Sequence, residues 1–178
     1  MRMLLLPFVI VTLLASQGKE TSTHAPELVV QVFYATLQKT MSSPLPQALR
    51  ALSKFLTHDF NKLIAEAVIA DDAYLKKNPG EKGFLGDGTC FFYGGGDCDF
   101  SSYKVGEVKK KGERIEVHVE LSVKDMNRPK NPPYTWTDVV ILTRENDKWL
   151  IQDIQYFNSA ASGVLKDNIE EARKEAQD

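Results

Sequence analysis

Up to about Lys76 the apolar residues of this 178-residue chain recur at helical spacing, and from Tyr103 onward they recur at every second position. That change of period places helices first and strands after. Side chains return to one helix face every three to four residues but alternate between the two faces of a strand. The clearest alternation pairs Ile115, Val117, Val119, Leu121 and Val123 with Glu116, His118, Glu120, Ser122 and Lys124, the pattern of a half-buried strand. Residues 135–144 contain the apolar run Val139 to Leu142 and read as a mostly buried strand. Glu145-Asn146-Asp147 is a short hairpin turn into a strand over 149–156. Before these, 103–108 reads as a strand ending in a turn over 109–113.

The helical part opens at Pro26 and Glu27, which suit a first turn, and carries Val29, Val30, Phe33, Tyr34 and Leu37 to about residue 41. Two prolines in 42–46 interrupt it. A second helical stretch runs from about Gln47 to Lys76, with Thr57-His58-Asp59 as a division and Thr57 or Asp59 as a cap, and Asn78-Pro79-Gly80 ends it. Residues 163–178 are charged and helical, with Glu170 and Lys174 four apart. Helices followed by a run of antiparallel strands make an α+β layout, N-terminal helices packed on a curved antiparallel sheet.

Residues 82–102 fit neither period. They are dense in glycine and carry Phe84, Phe91, Phe92, Tyr93 and Phe100 with the only cysteines, Cys90 and Cys98. This is an ordered loop anchored by rings and, in an oxidising compartment, by a Cys90–Cys98 disulfide. Such a loop is placed to cover the mouth of a pocket.

The compartment follows from the first residues. Arg2 precedes the apolar run Met3 to Ala15, and polar residues follow abruptly from Ser16 to Thr23. That is a secretory signal peptide, and the run is shorter than the roughly 20 apolar residues of a membrane span. Cleavage after Gly18 or Gln17 fits the small residues there, and no cysteine lies close enough for a lipid anchor. The organisation is a signal peptide over 1–18, a short linker over 19–25, one domain over 26–165 and a charged helical tail over 166–178. The full chain carries 22 basic and 24 acidic residues, a net charge of -2. Losing Arg2 shifts the balance to about -3, without the basic footprint that nucleic-acid binding needs. The exported chain is expected in the periplasm or outside the cell, with no membrane span after cleavage, as a monomer or homodimer.

Three stretches share an order and spacing with one protein family. They are Val29-Val30-Gln31-Val32-Phe33-Tyr34, then Gly96-Asp97 with Phe100 and Tyr103-Lys104-Val105-Gly106, then Trp149-Leu150-Ile151-Gln152-Asp153-Ile154-Gln155-Tyr156. Over about 26–165 the chain resembles the exported bacterial family called domain of unknown function 3828, in the nuclear transport factor 2-like superfamily. The resemblance implies a cone of helices on a curved sheet with a cavity at one end, and an envelope or secreted location. It carries over no catalytic residue. The glycine-rich disulfide loop and the tail beyond Lys166 depart from the family pattern.

Asp153 is the most informative polar residue. Strand alternation puts it on the face of Trp149 and Ile151. A carboxylate there is either a general base with a pKa raised by desolvation or a group paired with a cation or backbone amide at the sheet edge. Tyr34, Phe92, Tyr93, Trp136, Asp153 and Tyr156 are the candidate ligand-binding residues, with the rings lining an apolar pocket or filling the core. Glu116, His118 and Glu120 form either a metal-binding row or a solvated face, and the second reading is adopted; no cofactor is expected. The segment 128–136 joins two strands on a stiff proline frame, and Trp136 either faces a partner or packs inward. The chain has no nucleophile elbow, HExxH, phosphate-binding loop or dinucleotide fingerprint. Three functions remain. The first is a non-catalytic binding domain for a small ligand or partner protein. The second is a small hydrolase or isomerase using Asp153 as base with Tyr34 or Tyr156 as donor. The third is a periplasmic immunity or inhibitor protein.

Overall fold

The computed structural model describes residues 25–83, 85, 89–93, 100–124, 130–157 and 162–175. The signal-peptide reading, Phe84, Cys98 and most of the 125–133 connection therefore lie outside the described residues. Helix α1 spans Pro26–Thr40, with proline in its first turn, where the missing N–H costs no hydrogen bond. It buries Val30, Phe33, Tyr34 and Leu37, the positions its spacing selects. Helix α2 spans Leu45–Leu52, and a 3-10 turn over Ser53–Phe55 follows it. Helix α3 spans His58–Lys77 and buries Phe60, Leu63, Ile64 and Ala67.

The expected division at Thr57 is a cap. Its hydroxyl accepts from the Phe60 N–H at 3.3 Å, and Glu145 Oε2 accepts from the His58 N–H at 3.2 Å. The Thr57 N–H in turn donates to the Ile151 carbonyl at 2.9 Å. The start of α3 is thus bonded to the body of the sheet.

Among the described residues five antiparallel strands follow in simple order: β1 (Ser102–Lys111), β2 (Arg114–Val123), β3 (Tyr134–Glu145), β4 (Lys148–Phe157) and β5 (Ser162–Val164). The sheet is open, with β1 at one edge and the three-residue β5 at the other. The β1–β2 turn is tighter than its sequence predicts. Strand β1 continues through the lysines to Lys111, and Gly112, at φ +63°, supplies the left-handed residue of the reversal. The β3–β4 turn is the expected one, with Asn146 and Asp147 both left-handed at φ 50° and 63°, the signature of a two-residue hairpin loop.

One face of the sheet, here called inner, meets the helices. Val117, Val119 and Leu121 of β2, Val140 and Leu142 of β3, and Ile151, Ile154 and Tyr156 of β4 join the buried residues of α1 and α3 in one core. Helix α4 (Leu165–Glu175) belongs to this core as well: Leu165 and Ile169 are buried in it, and Lys166 Nζ lies 5.5 Å from the centre of the Phe60 ring. The charged stretch from Lys166 is therefore packed on α3 and β4 along one side, and only its other faces are solvated.

Candidate functional site

The inner face gathers five of the six candidate residues. Tyr34 from α1, Phe92 and Tyr93 from the ring-rich loop, Trp136 from β3 and Tyr156 from β4 all sit in the one buried core. Phe92 stands edge-on to Phe33 at 5.6 Å and Tyr93 edge-on to Phe100 at 5.2 Å, so this loop is held by aromatic packing. Tyr156 adds a tether, its hydroxyl donating to the Phe91 carbonyl. Cys90 is not a free thiol; its expected partner, Cys98, lies outside the described residues. Trp136 packs inward, 6% exposed, stacked on the half-exposed Tyr134.

The sixth candidate is elsewhere. In the β3–β4 ladder Leu142 opposes Ile151 and Ile141 opposes Asp153, with a register shift between the two pairs. Residues directly opposite share a face and consecutive residues do not, so Asp153 lies on the face opposite Ile151. The alternation that grouped Asp153 with Ile151 is broken by the bulge at Gln152. Asp153 is 8% exposed, and its Oδ1 accepts from the Ile154 N–H at 2.8 Å and from the Lys166 N–H at 3.2 Å. The second bond reaches the first turn of α4. Burial raises the pKa of Asp153, and these two hydrogen bonds and the Lys166 charge oppose that rise.

A carboxylate that the sequence reading passed over occupies the inner face instead. Asp138 is fully buried on β3, directly across from Tyr156 on β4 and Val119 on β2. Its signal was present, because Trp136, Asp138, Val140 and Leu142 share one face by period two. The consecutive apolar run beside it hid that alternation.

Tyr34, Trp136, Asp138 and Tyr156 thus form a polar group within an apolar core. Burial first, then the Asp138 carboxylate, pushes the phenols of both Tyr34 and Tyr156 well above the ordinary tyrosine value. Both remain protonated at neutral pH and act only as neutral hydrogen-bonding groups. The Tyr34 hydroxyl and the Trp136 indole N–H are buried, and neither has a hydrogen-bond partner among the described residues. A buried donor without an acceptor costs about 1–3 kcal/mol. On the opposite face Glu116, His118 and Glu120 stand across from Ile141, Val139 and Thr137. Among the described residues no group of three His, Cys, Asp or Glu side chains is placed to hold a metal ion.

The fold and this group of residues define an α+β domain with an open antiparallel sheet, whose helix-covered face holds buried polar groups in an aromatic setting. Compared with known proteins, the chain matches no family model, no curated protein and no solved structure. No described helix is long and apolar enough to cross a membrane.

Proposed function

We propose that this chain is an exported, non-catalytic binding domain of the nuclear transport factor 2-like kind. Its ligand is recognised by Tyr34, Trp136, Asp138 and Tyr156 on the inner face. The observation that carries this reading is the pair of buried donors, the Tyr34 hydroxyl and the Trp136 N–H, without acceptors among the described residues. Two buried donors suit a small polar molecule that offers acceptors to them. The domain 3828 resemblance is supported by the order of elements, three helices and then an antiparallel meander, and by the bulges in β1 and β4, which bend strands. Residues 1–18 act as the export signal, and Cys90 pairs with Cys98 to fix the ring-rich loop at the site.

An enzyme using Asp153 as general base draws less support, because its Oδ1 already accepts from two backbone N–H groups and strand register puts it on the face opposite Ile151. The test is native mass spectrometry of the mature protein purified from the envelope of the organism that makes it. A small molecule retained by wild type and lost from Tyr34→Phe supports the reading. A protein partner retained equally by both would replace it with the immunity or inhibitor function. N-terminal sequencing of the same sample reads the cleavage site.

A further inference from the structure

A second site lies outside the sheet, between α2 and α3. Pro46, Leu49, Arg50 and Ser53 project from one side and Asn61, Ile64 and Ala65 from the other, with Leu56 between them, around a groove of about 280 Å³. The positions follow helical spacing, 46, 49, 50 and 53 against 61, 64 and 65, so two helix faces are opposed. Ala48 and Leu52, on the other side of α2, hold it on the core. The walls are apolar apart from three residues, and two of those are already committed. The Asn61 amide donates to the carbonyls of Ser53 at 2.9 Å and Leu56 at 3.1 Å, and the Ser53 hydroxyl donates to the Arg50 carbonyl at 3.1 Å. The backbone is committed too: the Ser53 N–H goes to Leu49, the Leu56 N–H to Ser53 and the Asn61 N–H to Thr57. The Arg50 guanidinium is different, with no hydrogen bond or ion pair from it among the described residues.

We infer that this groove binds the alkyl chain of a fatty acid or similar aliphatic carboxylate, with its head group on Arg50. An aliphatic tail asks nothing of walls whose N–H groups are spent, and a carboxylate matches the fork of a guanidinium bidentately. An extended peptide in the same place would bring its own N–H and C=O groups and find few partners for them. Each methylene removed from water tightens binding about fourfold, so the tail supplies most of the affinity and Arg50 its direction. The site is separate from the inner-face group.

The experiment is calorimetric titration of the mature protein with sodium decanoate below its micelle concentration, with decanol and decyltrimethylammonium as neutral and cationic controls. Decanoate is expected to bind with one-to-one stoichiometry and more tightly than either control. Arg50→Glu, at an exposed position, should weaken it about tenfold or more. Ala65→Trp, also exposed, should block the groove without touching the charge, and Tyr34→Phe should leave decanoate binding unchanged. Absence of binding, or binding indifferent to both Arg50→Glu and Ala65→Trp, overturns the inference. Displacement of decanoate by an apolar peptide that itself binds more tightly would reassign the groove to a protein segment.

Discussion

Ile151 and Asp153 are two residues apart in β4, yet they face opposite sides of the sheet, because the ladder with β3 shifts register between Leu142 and Ile141. Ile151 is fully buried in the core, while Asp153 reaches the first turn of α4.

Asp153 therefore acts first on stability. Asp153→Ala leaves the Ile154 and Lys166 N–H groups without their acceptor and should cost about 1–3 kcal/mol, whereas Asp153→Asn keeps an oxygen there and should cost less. The raised pKa has a definite sign. The folded state holds the proton more tightly than the unfolded chain, so this contribution is fully present below the unfolded value of about 4 and is lost as pH rises through the higher folded value. Denaturant melts of wild type and Asp153→Asn across the acidic range should show wild type losing ground to the variant as pH rises. A difference independent of pH would refute the assignment.

Tyr34 carries a second linkage, at the alkaline end. Its pKa and that of Tyr156 are raised, so stability is kept below about pH 10 and lost above it, at up to about 1.4 kcal/mol per pH unit for each phenol. Tyr34→Phe should flatten that decline. At neutral pH it also removes a buried hydroxyl that has no partner among the described residues, so ligand-free protein should be unchanged or more stable. A loss above about 1 kcal/mol would mean that the hydroxyl is already satisfied.

The cap on α3 joins helix to sheet. Thr57→Ala should cost about 0.5–2 kcal/mol and Thr57→Ser much less. Glu145→Gln removes a negative charge from the same helix start and should cost about 0.3–1 kcal/mol, reduced by salt. Urea midpoints at two ionic strengths separate the two effects.

Gly83 sits against Asp71 at the end of the ring-rich loop. A side chain there would overlap both carboxylate oxygens of Asp71, one of which accepts from the Leu85 N–H at 3.3 Å. The Asp71 carboxylate is the far end of a flexible side chain and can swing aside, so Gly83→Ala should cost little more than the Leu85 hydrogen bond, about 0.5–1.5 kcal/mol. A double-mutant cycle with Asp71→Ala should recover part of that cost, and strict additivity would show that the overlap is not its source.

The loop should also respond to reduction. A Cys90–Cys98 bond closes a short ring of residues, worth about 2–3 kcal/mol through the unfolded chain. Intact-mass analysis with and without reductant reads the bond, and the melting temperature of the reduced, alkylated protein reads its contribution. A free-thiol mass for untreated protein would contradict the pairing.

The helices were legible because their signals are local. Proline at the start of α1, Thr57 before α3 and the Val30-Phe33-Tyr34-Leu37 spacing act within a few residues of chain. The Asn146-Asp147 turn is local in the same sense. Strand β5 has only three residues, too few to show a period, and the extension of β1 to Lys111 comes from its pairing with Arg114 rather than from the preference of lysine.

Helices before strands, a cap at the start of α3 and the Asn146-Asp147 turn are readable from the chain alone, because apolar periodicity and capping chemistry are written residue by residue. Which carboxylate faces the rings depends instead on how the strands pair. A single extra residue in β4 turns Asp153 to the other face, and cross-strand registry brings Asp138 opposite Tyr156. Register is fixed by pairing between strands distant in sequence, and a slip of one residue reverses every side chain beyond it.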